Sequence, residues 1–382
     1  MPRIKSFTLY AVDLPFKKSF KHAAASRQTS DSIFIKCTTD TGITGFGECL
    51  PRSYVTGETR DNAFALLKNS ILPKLIGKEF GTFAEVKQFL QSCDGKAPAD
   101  WLDPDQPQTA AWCAVDIALL DTFGRVFNES VRLDDNTTFP SSVRYSVVIS
   151  SDAGYKTLLF IRLAAISQVK IKVEKENSAE SVRRTRKILG SKCDMRVDAN
   201  MAWDVDEALK NMGILARLGI RSFEQPVAAD NIDGLAVLVK KSGLDVMVDE
   251  SLNDRASLEN IIQKKACTEV NVRISKCGGL VAAYNRCRQA LDSGLTIQIG
   301  CQVGESSLLS AAHLKLITAV RQVKYAEGCF GRLLLREDPA TPVLQFGFRG
   351  KNPPVTTLPG LGVGMDEAIL DRWMVKNTTI QL

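Results

Sequence analysis

Apolar and polar positions change period twice along the chain. In the first sixty residues they alternate. IKSFTLYAVDL reads as a strand, and SIFIKCTTDTGITGFGEC as a hairpin turning at Asp40-Thr41-Gly42. From 61 to about 130 the spacing is helical, in DNAFALLKNSILPKLIG and TAAWCAVDIALLDTFGRVF. From VRYSVVIS onward strand-like and helix-like runs alternate. The strand-like runs fall at 143–149, 169–173, 194–198, 220–224, 245–249, 269–275, 296–300 and 323–327. Helical patterns lie between them. EALKNMGILARLG, for example, has Leu209, Met212, Leu215 and Leu218 on one face, and Gly219 follows as a stop signal. Repeated β–α alternation predicts a parallel sheet, and eight strands predict closure into a barrel. After about 340 the pattern breaks into FGFRGKNPPVTTLPGLGVG and ends in the helix-like DEAILDRW. The expected layout is an α+β unit over 1–135, a barrel over 136–345, and a tail over 346–382 that returns to the first unit.

Composition narrows the function classes. At 382 residues, 45% hydrophobic and 24% charged, the chain has the profile of a soluble globular protein larger than one ordinary domain. A net charge of +6 is mild, and no basic block is interleaved with aromatics, which argues against nucleic-acid binding. Arg183, Arg184, Arg186 and Lys187 read as the wet face of a helix. The ten cysteines are scattered without a C-x-x-C pair, as expected of reduced core thiols, and no spacing supports a zinc site. The N-terminus lacks the apolar core of a signal peptide, and no apolar stretch is long enough to span a bilayer. A cytoplasmic protein without a membrane or nucleic-acid partner is expected. A symmetric homo-oligomer is the default.

The candidate chemistry lies where the apolar runs end. Lys172 closes VKIK, Asp198 MRVD, Glu224 RSFE, Asp249 VMVD and Lys276 VRISK, at steps of 26, 26, 25 and 27 residues. Strand ends on one rim of a barrel face one cavity, so three carboxylates and at least two lysines are expected in one small volume. Three clustered carboxylates repel one another unless a cation sits between them, and oxygen ligands suit Mg²⁺. Alternation puts Lys170 with Lys172 on one side of their strand; it groups Arg196, Asp198 and Asn200, and also Val272, Ile274 and Lys276. A lysine depressed by nearby positive charge can take a proton from carbon, and a metal can hold the enolate oxygen. Lysines on the second and sixth strands reach opposite faces of one carbon. Any single acid among these, taken alone, reads equally as a helix cap or an ion-pair partner; the joint register over five strands does not.

At these residues the chain resembles the enolase superfamily, in its muconate lactonizing enzyme subgroup. The likeness runs through KIK (170–172), DAN-x-x-W (198–203), FEQP (223–226), VDES (248–251), SK-x-GG (275–279) and PGLGVGMDE (359–367). It implies an α+β capping domain over a modified TIM barrel, (β/α)7β. It implies Mg²⁺ held by Asp198, Glu224 and Asp249, with Lys172 and Lys276 as the acid/base pair and Lys170 assisting. Cap loops at Lys21–Ala25 and Pro51–Gly57 would close over a small carboxylate substrate. The substrate-binding candidates are His22, Tyr54, Thr56, Asn200, Gln302, Glu305, Glu327 and Phe330. Members that epimerise dipeptides carry D-x-D on the eighth strand. Here Gly328-Cys329-Phe330 stand in that place, after Glu327, which argues against a usual dipeptide epimerase.

The expected activity is α-proton removal from a carboxylate, leading to racemisation or epimerisation of an amino-acid-like acid. Cycloisomerisation and syn-dehydration (as in o-succinylbenzoate synthase) use the same parts. A non-catalytic metabolite-binding barrel and a Schiff-base aldolase are the readings from other classes. TGITGFGEC is a hairpin rather than a nucleotide loop, and His313 in LLSAAHLKLI reads as core, so a serine triad is disfavoured.

Overall fold

Short buried strands in which Val, Ile and Met alternate with Lys170, Arg196, Asn271 and Gln298 make the central sheet, and the polar set meets in its interior. The computed structural model describes residues 1–22, 25–103, 105–136, 138–175 and 178–381, with only the backbone at 19–22, 25 and 26. The chain opens with β1 (Ile4–Val12), β2 (Pro15–His22), β3 (Ala25–Thr29), β4 (Ser32–Thr39) and β5 (Thr44–Cys49). The barrel strands are β6 (Val147–Ser150), β7 (Gln168–Lys172), β8 (Asp194–Asp198), β9 (Ser222–Glu224), β10 (Asp245–Val248), β11 (Glu269–Arg273), β12 (Thr296–Gly300) and β13 (Tyr325–Ala326). Three short strands follow: β14 (Ala340–Thr341), β15 (Gly364–Met365) and β16 (Met374–Gln381).

Strands β6 to β13 lie side by side in sequence order, each parallel to the next. A parallel bridge between Tyr145 and Ala326 joins the leading edge to the last strand and closes the barrel. Every connection from β6 to β13 carries a helix, and this is the (β/α)7β barrel. Local chemistry sets the helix starts. Asp204 with Glu207 forms a capping box before Val205–Ala216, and Asp254 caps Arg255–Gln263. Gly219 (φ +83°) ends the helix Val205–Ala216: its N–H donates to the Ala216 carbonyl at 3.0 Å and the Ile220 N–H to the Leu215 carbonyl at 3.2 Å, as in a Schellman cap.

The capping sheet runs β16-β1-β4-β5, all antiparallel, so the tail returns to the first unit through β16. The helix Thr109–Val126 covers this sheet and is buried along nearly its whole length. Two glycines of SK-x-GG seat the barrel on the cap. Gly278 (φ +87°) and Gly279 (φ +121°) lie in conformations that L side chains rarely adopt, and a side chain on either would run into Gly95 or Asp116. Asp116 then accepts the Leu280 N–H at 2.7 Å. All ten cysteines are free. Among the described residues no helix is long and apolar enough to cross a membrane.

Glu48 on β5 is a second tie across this seam. It is fully buried and accepts the Ser306 N–H at 3.0 Å and the Ser306 hydroxyl, at the start of the helix Ser307–Val320. Burial raises its pKa to about 8 against the pull of the Ser306 bonds. An acid raised on folding binds more protons folded than unfolded between its two pKa values. Stability therefore falls as the pH climbs from about 4.5 to 8, by a few kcal/mol at most. Glu48→Gln is expected to flatten the melting temperature across that window. An unchanged pH slope in calorimetry would show that Glu48 is ionised without penalty.

Candidate active site

Strand register brings the predicted acids together. Lys172 is the Cα partner of Asp198, and Asp198 that of Glu224. Asp249 follows directly after β10. Asp198, Glu224 and Asp249 are each at most 1% exposed, and desolvated charges of this kind require partners. Glu224 has four donor contacts: Lys170 at 3.0 Å to each oxygen, Asn271 at 2.8 Å and Gln298 at 3.2 Å. Burial opposes its ionisation, but Lys170, Arg273 and Arg196 outweigh it and hold the pKa at about 2. Asp198 lies 3.6 Å from Lys170 and 3.8 Å from Lys172, and its pKa is raised by burial and by Glu224. Asp249 is bound by Arg273 and, at 2.8 Å, by Lys276.

Backbone strain marks the same rim. Asn200 (φ +44°), Gln225 (φ +36°) and Cys329 (φ +49°) lie one or two residues after Asp198, Glu224 and Glu327. Non-glycine residues hold such angles only where the surroundings enforce them. Gln225 is held by Ser251 and Val227, and its oxygen accepts the Asp249 N–H at 2.9 Å. The FEQP glutamine thus orients the VDES turn.

A cavity of about 750 Å³ opens at this rim; Asp198, Glu224 and Asp249 lie behind its wall, while Glu250 and Glu327 line it. Lys170, Lys172, Asn200, Gln302, Glu327, Phe330 and Tyr54 line it, as the sequence predicts. Lys172 donates to Asn200 Oδ1 at 3.0 Å. Lys170 is not simply a neighbour that raises the local potential. It pairs with Glu224 and, at 2.9 Å, with Glu327, so burial is overcome and its pKa is raised by Glu224, Glu327 and Asp198. Glu327 also pairs with the fully buried Arg196, which stacks on Tyr325.

Other predicted residues lie elsewhere. Lys276 is not on the sixth strand: β11 stops at Arg273, and Lys276 sits in a single helical turn, Ile274–Cys277. It is fully buried, bonded to Asp249 and to the Asn271 carbonyl, and absent from the cavity wall. Burial and Arg273 lower its pKa, to about 7. The interior face of β11 carries Glu269, Asn271 and Arg273, not Val272 and Ile274. The polar alternation of EVNVR was the signal for this. Arg273, missed in the sequence, is the cationic side chain that lines the cavity on this side. Glu250 was missed too; it lines the cavity, and burial followed by Asp198 raises its pKa to about 7. Thr56 spends its hydroxyl on the Arg52 turn, and Glu305 accepts the Gln302 N–H at 2.7 Å; neither lines the cavity. His22 belongs to β2 by its backbone, paired with Ala25, and its side chain lies outside the described residues. The cap loop expected at Lys21–Ala25 is the tip of the β2–β3 ribbon, with 23 and 24 outside the described residues. His313 is core, bonded to Tyr145 at 3.1 Å, with a pKa lowered by burial to about 4.

Two families match the cap and most of the barrel. Residues 6–133 match the mandelate racemase/muconate lactonizing enzyme N-terminal domain, and residues 159–369 match the enolase C-terminal domain-like family. The chain belongs to the muconate lactonizing enzyme-like group of the enolase superfamily. Within it, the chain is 30% identical over 332 residues to the N-succinyl-L-Arg/Lys racemase of Bacillus cereus, spanning 83% of this chain and 86% of the racemase. The crystal structure of N-succinyl Arg/Lys racemase from that organism superposes with a TM-score of 0.87 at 26% identity, covering 99% of this chain and all of the other. A dipeptide epimerase from Cytophaga hutchinsonii, solved with Mg and D-Ala-L-Val, shares the fold at TM-score 0.85 and 23% identity, over 99% of this chain and all of that one. The chloromuconate cycloisomerase of Cupriavidus pinatubonensis is 23% identical over 93% of this chain and 94% of its own.

A divalent ion of the kind solved with the Cytophaga hutchinsonii epimerase needs converging oxygen ligands. Among the described residues no three Asp, Glu, His or Cys side chains already converge as ligands, because Lys170 lies on Glu224 and Arg273 on Asp249. The donor chemistry nevertheless fits. Asp198 Oδ2 is buried without a hydrogen-bond donor, as is Glu250 Oε2. The cluster sets Asp198, Glu224, Asp249, Glu250 and Glu327 against Lys170, Lys172, Arg196, Arg273 and Lys276. An added dication leaves two positive charges for an anionic ligand to answer.

Proposed function

We propose that the protein is an enzyme that removes the α-proton of a carboxylate and racemises or epimerises an amino-acid-like acid. The observation that carries this reading is Lys172 and Arg273 in the wall of one cavity, each backed by a buried strand-end carboxylate, Asp198 at 3.8 Å from Lys172 and Asp249 bound by Arg273. Asp198, Glu224 and Asp249 are the residues that would hold Mg²⁺. When bound, it supplies a Lewis acid for the substrate carboxylate and answers the charge of the enolate. Lys172, in its neutral form, takes the proton from carbon, and Asn200 at 3.0 Å fixes the direction of its amine. Lys170 stays an ammonium among Glu224, Glu327 and Asp198 and adds positive potential beside the developing charge. Arg273 reaches from Asp249 to Gln302 at 3.2 Å and is placed to hold the anionic end of a substrate.

One observation favours a second reading. Lys276, like Asp198, Glu224 and Asp249, is buried behind the cavity wall, while Arg273 lines the cavity on that side. A guanidinium is always protonated in a protein and does not serve as a base. Syn-dehydration and cycloisomerisation can run on one face with Lys172 alone. Incubating each enantiomer of candidate acids with Mg²⁺ in D₂O separates the two. Racemisation gives deuterium in the inverted product; one-face chemistry gives exchange with retention, or elimination and ring closure. If the chemistry runs on one face, Lys276→Met changes exchange less than tenfold; in racemisation Lys276 returns the proton to the opposite face, and the variant exchanges without inverting. A loss as large as that for Lys172 would return Lys276 to the reacting pair. No exchange of any acid would leave a metabolite-binding barrel.

A further inference from the structure

The cavity has two chemically distinct halves. One half holds Lys172, Asn200, Arg273, Gln302 and Glu327. The other lies between the helix Tyr155–Leu163 and the segment 330–348, and its lining includes no ionisable side chain among the described residues. Ile161 and Phe346 form its buried floor, while Phe160, Leu163 and Phe348 stand at its edge, 64%, 70% and 60% exposed. Phe330 packs edge-on against Phe346, with ring centres 5.9 Å apart. Large apolar side chains left this open are unusual unless something covers them. Continuity with Lys172 identifies the cover: these side chains line the same cavity. At about 750 Å³ the cavity holds far more than an amino acid, within the range that encloses drug-sized ligands.

We infer that the substrate carries an uncharged apolar arm of several carbons beyond its reacting carboxylate, seated between the helix Tyr155–Leu163 and the segment 330–348. This rests on the reading of Lys172 as facing the α-carbon. The wall of the apolar half offers a charged acyl group no counter-ion, and the Arg349 guanidinium stands only at its rim, 5.6 Å from the Phe348 ring centre. The arm leaves the reacting carbon on the side of Phe330 that faces Lys172.

The test is a homologous series: N-acetyl-, N-butanoyl-, N-hexanoyl- and N-octanoyl-alanine, with N-succinyl-alanine as the charged arm. Affinity is measured by calorimetry with Mg²⁺ present, and α-proton exchange by NMR in D₂O. Affinity is expected to rise about fourfold per methylene that enters the apolar half, and N-succinyl-alanine should bind no tighter than the acetyl compound. Phe160→Asp and Leu333→Asp, both at exposed positions, should flatten that slope. Affinity independent of chain length, or tightest for the succinyl compound, overturns the inference. So does a Phe160→Asp protein that keeps the slope but sediments as a smaller species, since a second copy of the chain would then be the cover. A steep slope without exchange sustains the arm and overturns the proton-transfer reading instead.

Discussion

Lys172→Ala is expected to lower α-proton exchange by about 10²- to 10⁴-fold, the span that removal of a positioned base produces, with the fold intact. Lys172 is the lysine that touches the cavity without being locked in a carboxylate cage. Its amine bonds to Asn200 at 3.0 Å, and Asp198 stands at 3.8 Å. Lys170, two residues earlier, cannot replace it, because Glu224 and Glu327 hold that ammonium at 3.0 and 2.9 Å. Truncation leaves the Asn200 carbonyl without its donor and takes one of two lysines from Asp198, but Lys170 remains at 3.6 Å, so the melting temperature should move little. Exchange is followed by NMR on whichever acid the parent protein turns over, and Mg²⁺ affinity by calorimetry. Exchange within tenfold of the parent would remove Lys172 from the chemistry. Loss of exchange together with loss of Mg²⁺ binding would instead point to damage at Asp198.

Glu224→Gln is expected to have the largest effect on the cation and a large one on stability. Four contacts converge on this carboxylate, and Lys170 alone provides two of them. The amide keeps the volume but discards the charge that balances a fully buried ammonium. Breaking one partner of such a pair costs about 3–5 kcal/mol, with Glu327 and Asp198 holding the loss toward the lower end. For the parent, Mg²⁺ should raise the melting temperature by mass action; for the variant it should not. The acid limb carries the sign of the same pairing. The carboxylate is held down to about 2, so its contribution is complete above the ordinary range near 4.5 and is lost as the pH falls from there toward 2. A variant that still gains stability from Mg²⁺ would show that Glu224 is an anchor for Lys170 and not a ligand.

The barrel was legible because its strands are short, apolar and evenly spaced, so each strand end announces itself by a change from Val or Ile to a charged residue. That rule placed Lys172, Asp198, Glu224 and Asp249 on one rim. It failed at Lys276 because counting in twos continued past Arg273, where the backbone has already turned into helix. One turn of helix rotates every later side chain off the strand's phase, and the face carrying Lys276 was misread. Arg273 went unnoticed beside a lysine that looked better suited to chemistry. Glu250 was hidden next to Asp249, since a sequence does not say which of two adjacent acids points inward at a turn. The contacts of Glu48 with Ser306 and of Asp116 with Leu280 join residues far apart in the chain. No local period carries such information. The same holds for Lys170, whose caging by Glu224 and Glu327 depends on three strands meeting.

The antiparallel sheet has a temporal consequence. In that sheet Ser6 lies opposite Gln381 and Tyr10 opposite Asn377. During translation at ~5–20 residues per second, β1 emerges roughly 20–75 s before the strand that will flank it. Throughout that interval its outer rail of amide and carbonyl groups stays available to any passing chain. A newborn polypeptide of this design depends on chaperone shelter or dilution until its final strand docks. Shaving those closing residues would leave the finished enzyme prone to clumping even with every catalytic side chain in place.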